Sequence, residues 1–198
     1  MVASSQHREA LVTQLREAYG RLVYTYTTHL KMAARLASRN RQIKCAQIIL
    51  SAISTGGFLG SIIANEIVLT YIGGIFSTIL LALNLFVKDF NLAEDIKKHC
   101  AASDNLWLIR EQYISLLTDF WVLSEDEIVC KRDELQKQTF EVYKLAPKTD
   151  AKSYTAAQRA LKSDEEQCFT SAEIDKLLPA HLRIKKQADH SRITNAVN

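Results

Sequence analysis

A regular row of side chains in the first half of the chain has the spacing and chemistry to line a water-filled pore. Its members follow one another at steps of 4, 3, 4, 3 and 4, the spacing of one face of an α-helix. They are Gln47, Ser51, Ser54, Phe58, Ser61 and Asn65. Phe58 is the apolar member, and in a pore it would be the hydrophobic constriction that closes the path by dewetting. The same row could instead join packed helices by hydrogen bonds, and the sequence leaves both roles open.

A basic belt precedes this row. It consists of Arg35, Arg39, Arg41 and Lys44, with no acidic residue among them. Basic side chains at a membrane boundary set topology and bind anionic lipid headgroups, each worth about 1 kcal/mol near the surface. In an oligomer, several copies of the belt would converge around the axis and form a positive mouth for a phosphate-rich ligand. The belt is therefore a candidate contact for either a lipid headgroup or a ligand.

Other reactive residue types do not form a recognisable site. The glycine-rich segment STGGFLGS, residues 54–61, has no lysine after it, unlike a phosphate-binding loop. The histidines lack metal-ligand spacing, and the cysteines show neither a disulfide framework nor a thiolate metal site. These residues are His7, His29, His99, His181 and His190, with Cys45, Cys100, Cys130 and Cys168. We expect a protein that is not an enzyme and holds no cofactor or metal, in a reducing compartment.

The element that positions the polar row is an apolar stretch from residue 45 to residue 87, in which Glu66 is the single charge. Residues 45–63 and 67–87 are each about 20 residues long, which is the length that spans ~30 Å of hydrocarbon as a helix. Residues 64–66 leave room only for a turn, so the two helices must be antiparallel neighbours. The alternative is the buried hairpin of a soluble bundle, but the second run has no charged face for water.

Small residues recur along both spans at helix-contact spacing. Gly56 and Gly60 lie four apart in the first span, and Gly73 and Gly74 each have a hydroxyl residue four positions on in the second. Such pairs let helix backbones approach closely in lipid. They predict packing either within the hairpin or between subunits. A second polar row, Thr70, Ser77 and Asn84, follows in the second span at steps of seven.

The charges on either side of the hairpin predict its orientation. Basic residues precede the first span and follow the second, whereas the turn carries only Glu66. Because lysine and arginine close to a span remain in the cytoplasm, we expect both termini there and the turn outside, in the periplasm if the source is bacterial.

The remaining segments read as helices. Residues 1–44 form a basic amphipathic helix that runs into the first span, with an apolar face of Leu11, Leu15, Ala18, Leu22, Tyr26 and Leu30 or Ala33. Residues 88–178 form further cytoplasmic helices, two of them opened by the capping pairs Ser124 with Glu127 and Thr170 with Glu173. A coiled-coil-like seam of Ala93, Ile96, Cys100, Trp107, Ile114, Leu117 and Trp121 is expected to pack on the first helix. Residues 179–198 form a polar tail.

Taken together, these patterns predict an all-α integral membrane protein whose two-helix transmembrane hairpin continues into a cytoplasmic helical bundle. The sequence also resembles the SLATT domain family over residues 8–162. The resemblance lies in the basic-flanked helix leading into two spans with a minimal turn, in FNLAEDIKKHCAASDNLWLIREQYISLLTDF, and in VYKLAPKTDAKSYTAAQRAL.

The resemblance implies a pore-forming effector of bacterial anti-phage defence. Its partners would be a nucleotidyltransferase and the nucleotide or oligonucleotide signal that this enzyme makes, and its action would depolarise the inner membrane in abortive infection. Because two helices cannot enclose a channel, we also expect a homo-oligomer of about four copies. The alternative is a membrane-anchored structural or adaptor protein that binds a partner through its cytoplasmic arms.

Overall fold

The chain is helical wherever its structure is described. The computed structural model describes residues 2–167, 169–179 and 183, which contain six helices and no strand. The helices are α1 Val2–Ala64, α2 Ile67–Asp89, α3 Leu92–Asp119, α4 Glu125–Leu145, α5 Ala151–Lys162 and α6 Ser171–Leu177. The predicted all-α class is confirmed. Two compact units divide after Arg159, and the functional residues discussed below lie in the first of them.

The first helix is continuous over 63 residues. At about 1.5 Å per residue it is roughly 95 Å long, three times the thickness of a bilayer core. No proline interrupts it, so the amphipathic part and the apolar part form one rod. A displacement of one end of α1 would therefore be transmitted to its other end.

A tight turn joins α1 to α2. Asn65 lies in the left-handed region with φ 52°, which asparagine tolerates better than most residues, and Glu66 is extended before α2 begins. The turn makes α1 and α2 antiparallel neighbours.

Both hairpin helices are long and apolar enough to cross a membrane. In the most apolar window of each helix, only 6% of the residues are buried. The core helix of a soluble protein would be mostly buried, so this exposure favours membrane spans over the soluble-bundle alternative. The large outward side chains include Ile48, Ile62, Ile63, Ile67, Tyr71, Leu81 and Leu85.

The amino-terminal part of α1 packs on α3 and α4 around a continuous apolar core. Its fully buried members are Leu11, Leu15, Leu22, Leu106, Ile109, Tyr113, Leu116, Phe120, Ile128 and Leu135. The apolar face predicted for α1 is confirmed: Leu11, Leu15, Leu22 and Ala33 are buried, and Ala18 and Tyr26 pack partly against the core.

The seam predicted on α3 is wrong for three of its large members, although Leu117 does pack partly against the core. Trp107, Ile114 and Trp121 are 48%, 36% and 69% exposed, so they do not pack on α1. The buried face of α3 is the neighbouring one, which carries His99, Ala102, Ser103, Leu106, Ile109, Tyr113 and Leu116. Two apolar stripes therefore run along α3, and α1 covers one of them.

Capping residues fix where α4 and α6 begin. Both predicted capping boxes are present, at Ser124 with Glu127 and at Thr170 with Glu173. The Ser124 hydroxyl and backbone N–H lie 2.6 and 2.9 Å from the Glu127 carboxylate and lower its pKa. The polar tail expected over residues 179–198 lies outside the described residues except at positions 179 and 183.

Candidate functional site

The hairpin is held by a close approach of two glycines. A Cβ atom added to Gly57 would lie 3.1 Å from the Gly73 Cα and 3.1 Å from the Leu69 carbonyl oxygen. Beside this contact the Ser54 hydroxyl, which is buried, donates a hydrogen bond of 3.1 Å to the Gly73 carbonyl. Close backbone packing and a hydroxyl-to-carbonyl bond are the contacts that hold helices together in lipid.

Only two of the four predicted packing glycines lie in this contact. Gly73 meets α1 directly, and a Cβ atom on Gly60 would lie 3.3 Å from the Leu69 side chain. Gly56 and Gly74 have nothing within 4 Å of an added Cβ and face away from the partner helix. The sequence analysis missed Gly57, although Ser54, Gly57 and Ser61 form a small-residue series at steps of 3 and 4.

The predicted polar row divides between two environments. Ser54 is directed at α2, and the Phe58 ring, 41% exposed, lies against Gly73 with one edge. The Ser61 hydroxyl donates to the Phe58 carbonyl at 2.8 Å within its own helix. Gln47 donates to the Asn84 side chain at 2.8 Å and so joins the two polar rows across the hairpin. Ser51 and Asn65 are exposed.

A shallow groove lined by both polar and apolar side chains opens on the outside of the hairpin, near the belt end of the apolar runs. It has a volume of about 760 Å³ and combines one charged, several polar and a few apolar side chains. It is lined by Lys44, Gln47, Ile48, Ser51, Ala52, Thr55, Leu80 and Asn84. An amide side chain can donate two hydrogen bonds and accept at its oxygen, so the Gln47–Asn84 bond uses only part of what this pair can form. We call this surface the hairpin groove.

The basic belt is also divided. The Arg35 guanidinium forms an ion pair with Asp150 and also donates to the Met32 sulfur at 3.0 Å. The hydrogen bond from Arg35 lowers the pKa of Asp150 to about 2, with a second contribution from the Ser153 backbone N–H. Arg39 and Lys152 join Arg35 around a cavity of about 470 Å³. An anion bound in this cavity would compete with Asp150 for Arg35. The other two belt residues, Arg41 and Lys44, lie outside the cavity and are exposed.

A buried histidine pair lies between α1 and α3, at the membrane side of the core. The Nδ1 atoms of His29 and His99 are 2.9 Å apart, and both side chains are 97–98% buried. One neutral ring donates its Nδ1–H to the Nδ1 of the other. Burial lowers the pKa of His29 to about 4, with a further contribution from the neighbouring His99. Burial also lowers the pKa of His99, although the Asp95 and Asp150 carboxylates act in the opposite direction.

Sequence reasoning missed this pair because the two residues are 70 positions apart. Each histidine lies on the buried face of its helix, and that much could have been found: His29 follows Leu22 and Tyr26 at steps of 4 and 3. The pairing itself needs the tertiary structure. Among the residues that the structure describes, no three His, Cys, Asp or Glu side chains form a group that could hold a metal ion.

The histidine pair predicts that acid loosens the α1–α3 contact. Because both pKa values are lowered in the folded protein, the unfolded chain binds protons first as the pH falls below about 6.5. His29 alone should cost up to about 1.4 kcal/mol of unfolding free energy per pH unit over that range. Thermal unfolding of purified protein at pH 7.5 and pH 5.5 measures the effect.

The matched control replaces both histidines by glutamine, which keeps a hydrogen-bonded pair but cannot titrate. His29→Gln with His99→Gln should flatten the loss between pH 7.5 and 5.5. An equal loss in the wild type and the double variant would refute the assignment.

One comparison with known proteins returns a match. A family model described as SMODS and SLOG-associating 2TM effector domain family 4 matches residues 11–173. This range includes both apolar runs of the hairpin, the histidine pair and all of α3 and α4. No curated protein and no solved structure matches the chain.

Proposed function

This chain belongs to the SMODS and SLOG-associating 2TM effector domain family 4, and we propose that it acts as a homo-oligomeric ion channel. The family membership confirms the resemblance to SLATT domains and makes the chain a membrane effector of defence systems. In our proposal a nucleotide or oligonucleotide from a partner nucleotidyltransferase gates the channel. The open channel depolarises the bacterial inner membrane and stops phage spread through abortive infection.

The observation that carries the proposal is the hairpin groove. Polar groups that face hydrocarbon are costly, and Lys44, Gln47, Ser51, Thr55 and Asn84 all lie at or within the apolar spans. The hairpin covers its own glycine face and leaves these polar side chains, with apolar ones between them, on the outside. Water in a shared pore would satisfy these groups, and the pore needs further copies because one hairpin cannot enclose it. About four copies would place some eight helices around the axis.

The proposed orientation puts both termini and the basic belt in the cytoplasm. Lys44 lines the hairpin groove, and Arg41, three residues before it, is exposed; both would form the positive mouth of an assembled pore. A signal with phosphate groups is attracted to such a mouth. Within the pore, Phe58 is the proposed constriction: its ring lies against the glycine contact and is 41% exposed.

Conductance of purified protein in planar bilayers tests the proposal. Current should appear or disappear when mononucleotides and short oligonucleotides are added. Thr55→Leu, which fills the hairpin groove, should lower the current about tenfold by narrowing the path and removing its polar lining. Thr78→Leu is the matched control, because the Thr78 hydroxyl already donates to the Gly74 carbonyl of its own helix at 3.0 Å.

Two results would count against the channel. Bilayers that stay electrically silent with and without every nucleotide would favour the adaptor alternative, in which the cytoplasmic arms bind a partner. Equal currents from the two threonine variants would show that the hairpin groove does not line the path.

A further inference from the structure

A cavity between α1 and the start of α5 collects basic side chains from two parts of the chain. It has a volume of about 470 Å³, within the ~300–1,000 Å³ that is typical of small-molecule sites. Its lining consists of Arg35, Leu36 and Arg39 from α1, with Asp150, Ala151 and Lys152. We call it the belt cavity. Three basic side chains share it with one carboxylate, so the lining carries an excess of positive charge.

The cations of the belt cavity repel one another. Arg35 and Arg39 are four residues apart and therefore share one face of α1, a spacing at which like charges destabilise a helix. Lys152 adds a third cation from another helix. Both Arg39 and Lys152 are exposed, so the packing of the bundle requires neither charge. An anion held between the three groups would replace this repulsion by attraction.

Asp150 shows that the belt cavity accepts an oxyanion. Its carboxylate forms the ion pair with Arg35 and accepts a hydrogen bond of 2.9 Å from the Ser153 backbone N–H. These contacts lower the pKa of Asp150 to about 2, so its carboxylate is charged at physiological pH. One carboxylate balances only one of the three cations. A terminal phosphate carries about two negative charges and offers three oxygens to the guanidinium groups.

The ion pair between Arg35 and Asp150 can be exchanged without undocking α5. The two side chains are 38% and 44% exposed, and ion pairs in such positions contribute little to stability because water solvates both partners after they separate. Other contacts keep α5 on α1. The Ser153 hydroxyl donates to a sulfur of α1 at 3.2 Å, and the Tyr154 ring stacks on Tyr24 with centroids 6.0 Å apart.

We propose that the belt cavity binds a phosphate group of the gating signal, held by Arg35, Arg39 and Lys152 and displacing the Asp150 carboxylate. The inference rests on the proposed function for the nature of this signal. Asp150 is then an internal competitor. It occupies the site against singly charged anions and is displaced by a phosphate, which satisfies all three cations.

The distance from the membrane favours a soluble ligand over a lipid headgroup. Arg35 lies ten residues before Cys45, the first residue of the apolar run, which is about 15 Å along α1. The headgroup layer on each side of a bilayer is only about 5–8 Å thick. In the proposed orientation a headgroup phosphate would therefore lie nearer to Lys44 than to Arg35.

Calorimetric titration of purified full-length protein with inorganic pyrophosphate tests the site, in an uncharged detergent and at one ionic strength. Asp150→Asn should bind pyrophosphate about tenfold more tightly than the wild type, because the anion no longer meets a like charge in the belt cavity. Asparagine caps a helix as well as aspartate does, so this variant keeps the start of α5. Loss of a side chain that only shapes the cavity would not strengthen binding.

The opposite effect is expected at the two exposed cations. Arg39→Gln and Lys152→Gln should each weaken pyrophosphate binding about tenfold, as the loss of one charge-assisted hydrogen bond does. Arg16→Gln is the matched control, because it removes the same charge from an exposed position of α1 nineteen residues before Arg35 and should bind like the wild type. Unchanged or weaker binding by Asp150→Asn, or equal affinities of Arg39→Gln and Arg16→Gln, would overturn the inference.

A lipid headgroup in the belt cavity would give a different outcome. Mass spectrometry of the purified protein measures the phosphatidylglycerol that stays bound to it. If Arg39→Gln loses this lipid while pyrophosphate binds neither the wild type nor Asp150→Asn, the cavity holds a headgroup and the soluble ligand is refuted. Equal lipid content of Arg39→Gln and the wild type, together with pyrophosphate binding, supports the soluble ligand.

Binding and conductance separate this inference from the proposed channel. Pyrophosphate binding with the expected pattern of variants, in a protein that never conducts, would keep the site and refute the channel. A nucleotide-gated current that is identical in the wild type, Arg39→Gln and Asp150→Asn would keep the channel and refute the site.

Discussion

Gly57→Leu should open the hairpin and abolish any current that the protein carries. A leucine side chain at this position would meet the Gly73 Cα and the Leu69 carbonyl, each 3.1 Å from its Cβ. Both are backbone atoms, so neither can rotate away and the helices must separate. Overpacking of this kind costs about 1–3 kcal/mol. For a chain of this size, the midpoint of thermal unfolding in detergent should fall by about 5 °C or more.

Gly56→Leu is the control for this change. It adds the same side chain to the preceding residue, where nothing lies within 4 Å of an added Cβ. Leucine also favours a helix over glycine by nearly 1 kcal/mol, so this variant should be as stable as the wild type or slightly more stable. If the two variants unfold at the same temperature, the Gly57–Gly73 contact does not hold the hairpin.

Leu106→Ala should destabilise the bundle by about 2–5 kcal/mol, since it leaves a cavity in a close-packed core. The Leu106 side chain is fully buried between α1 and the remainder of the core. Urea unfolding followed by circular dichroism measures the loss.

The control again lies on the same helix. Leu108 is 54% exposed, so Leu108→Ala should cost less than about 1 kcal/mol. If Leu108→Ala were the more destabilising of the two, the face of α3 that carries Leu106 would not be its core face.

The contrast between Leu106 and Leu108 shows what the sequence pattern of one helix can and cannot predict about its buried face. Periodicity along α3 indicates an amphipathic helix, but the helix carries apolar residues on two faces. The tryptophans made the face of Trp107 and Trp121 the more prominent one in the sequence. The buried face carries the small residues Ala102 and Ser103 beside larger ones such as Leu106 and Tyr113. Which face is buried depends on the shape of the partner helix, which is information that lies outside α3.

The candidate site shows the same division between what the sequence determines and what the packing of helices determines. The sequence alone determined the all-α class and the hairpin, because a run of forty-three residues with one carboxylate and a three-residue turn permits few other structures. It also determined both capping boxes, since a cap is a contact between residues three positions apart. The tertiary structure alone decided that Gly57 rather than Gly56 meets α2, that Gln47 bonds Asn84, and that His29 faces His99. Each of these contacts joins residues of different helices, and the relative rotation of two helices follows from how their surfaces pack together.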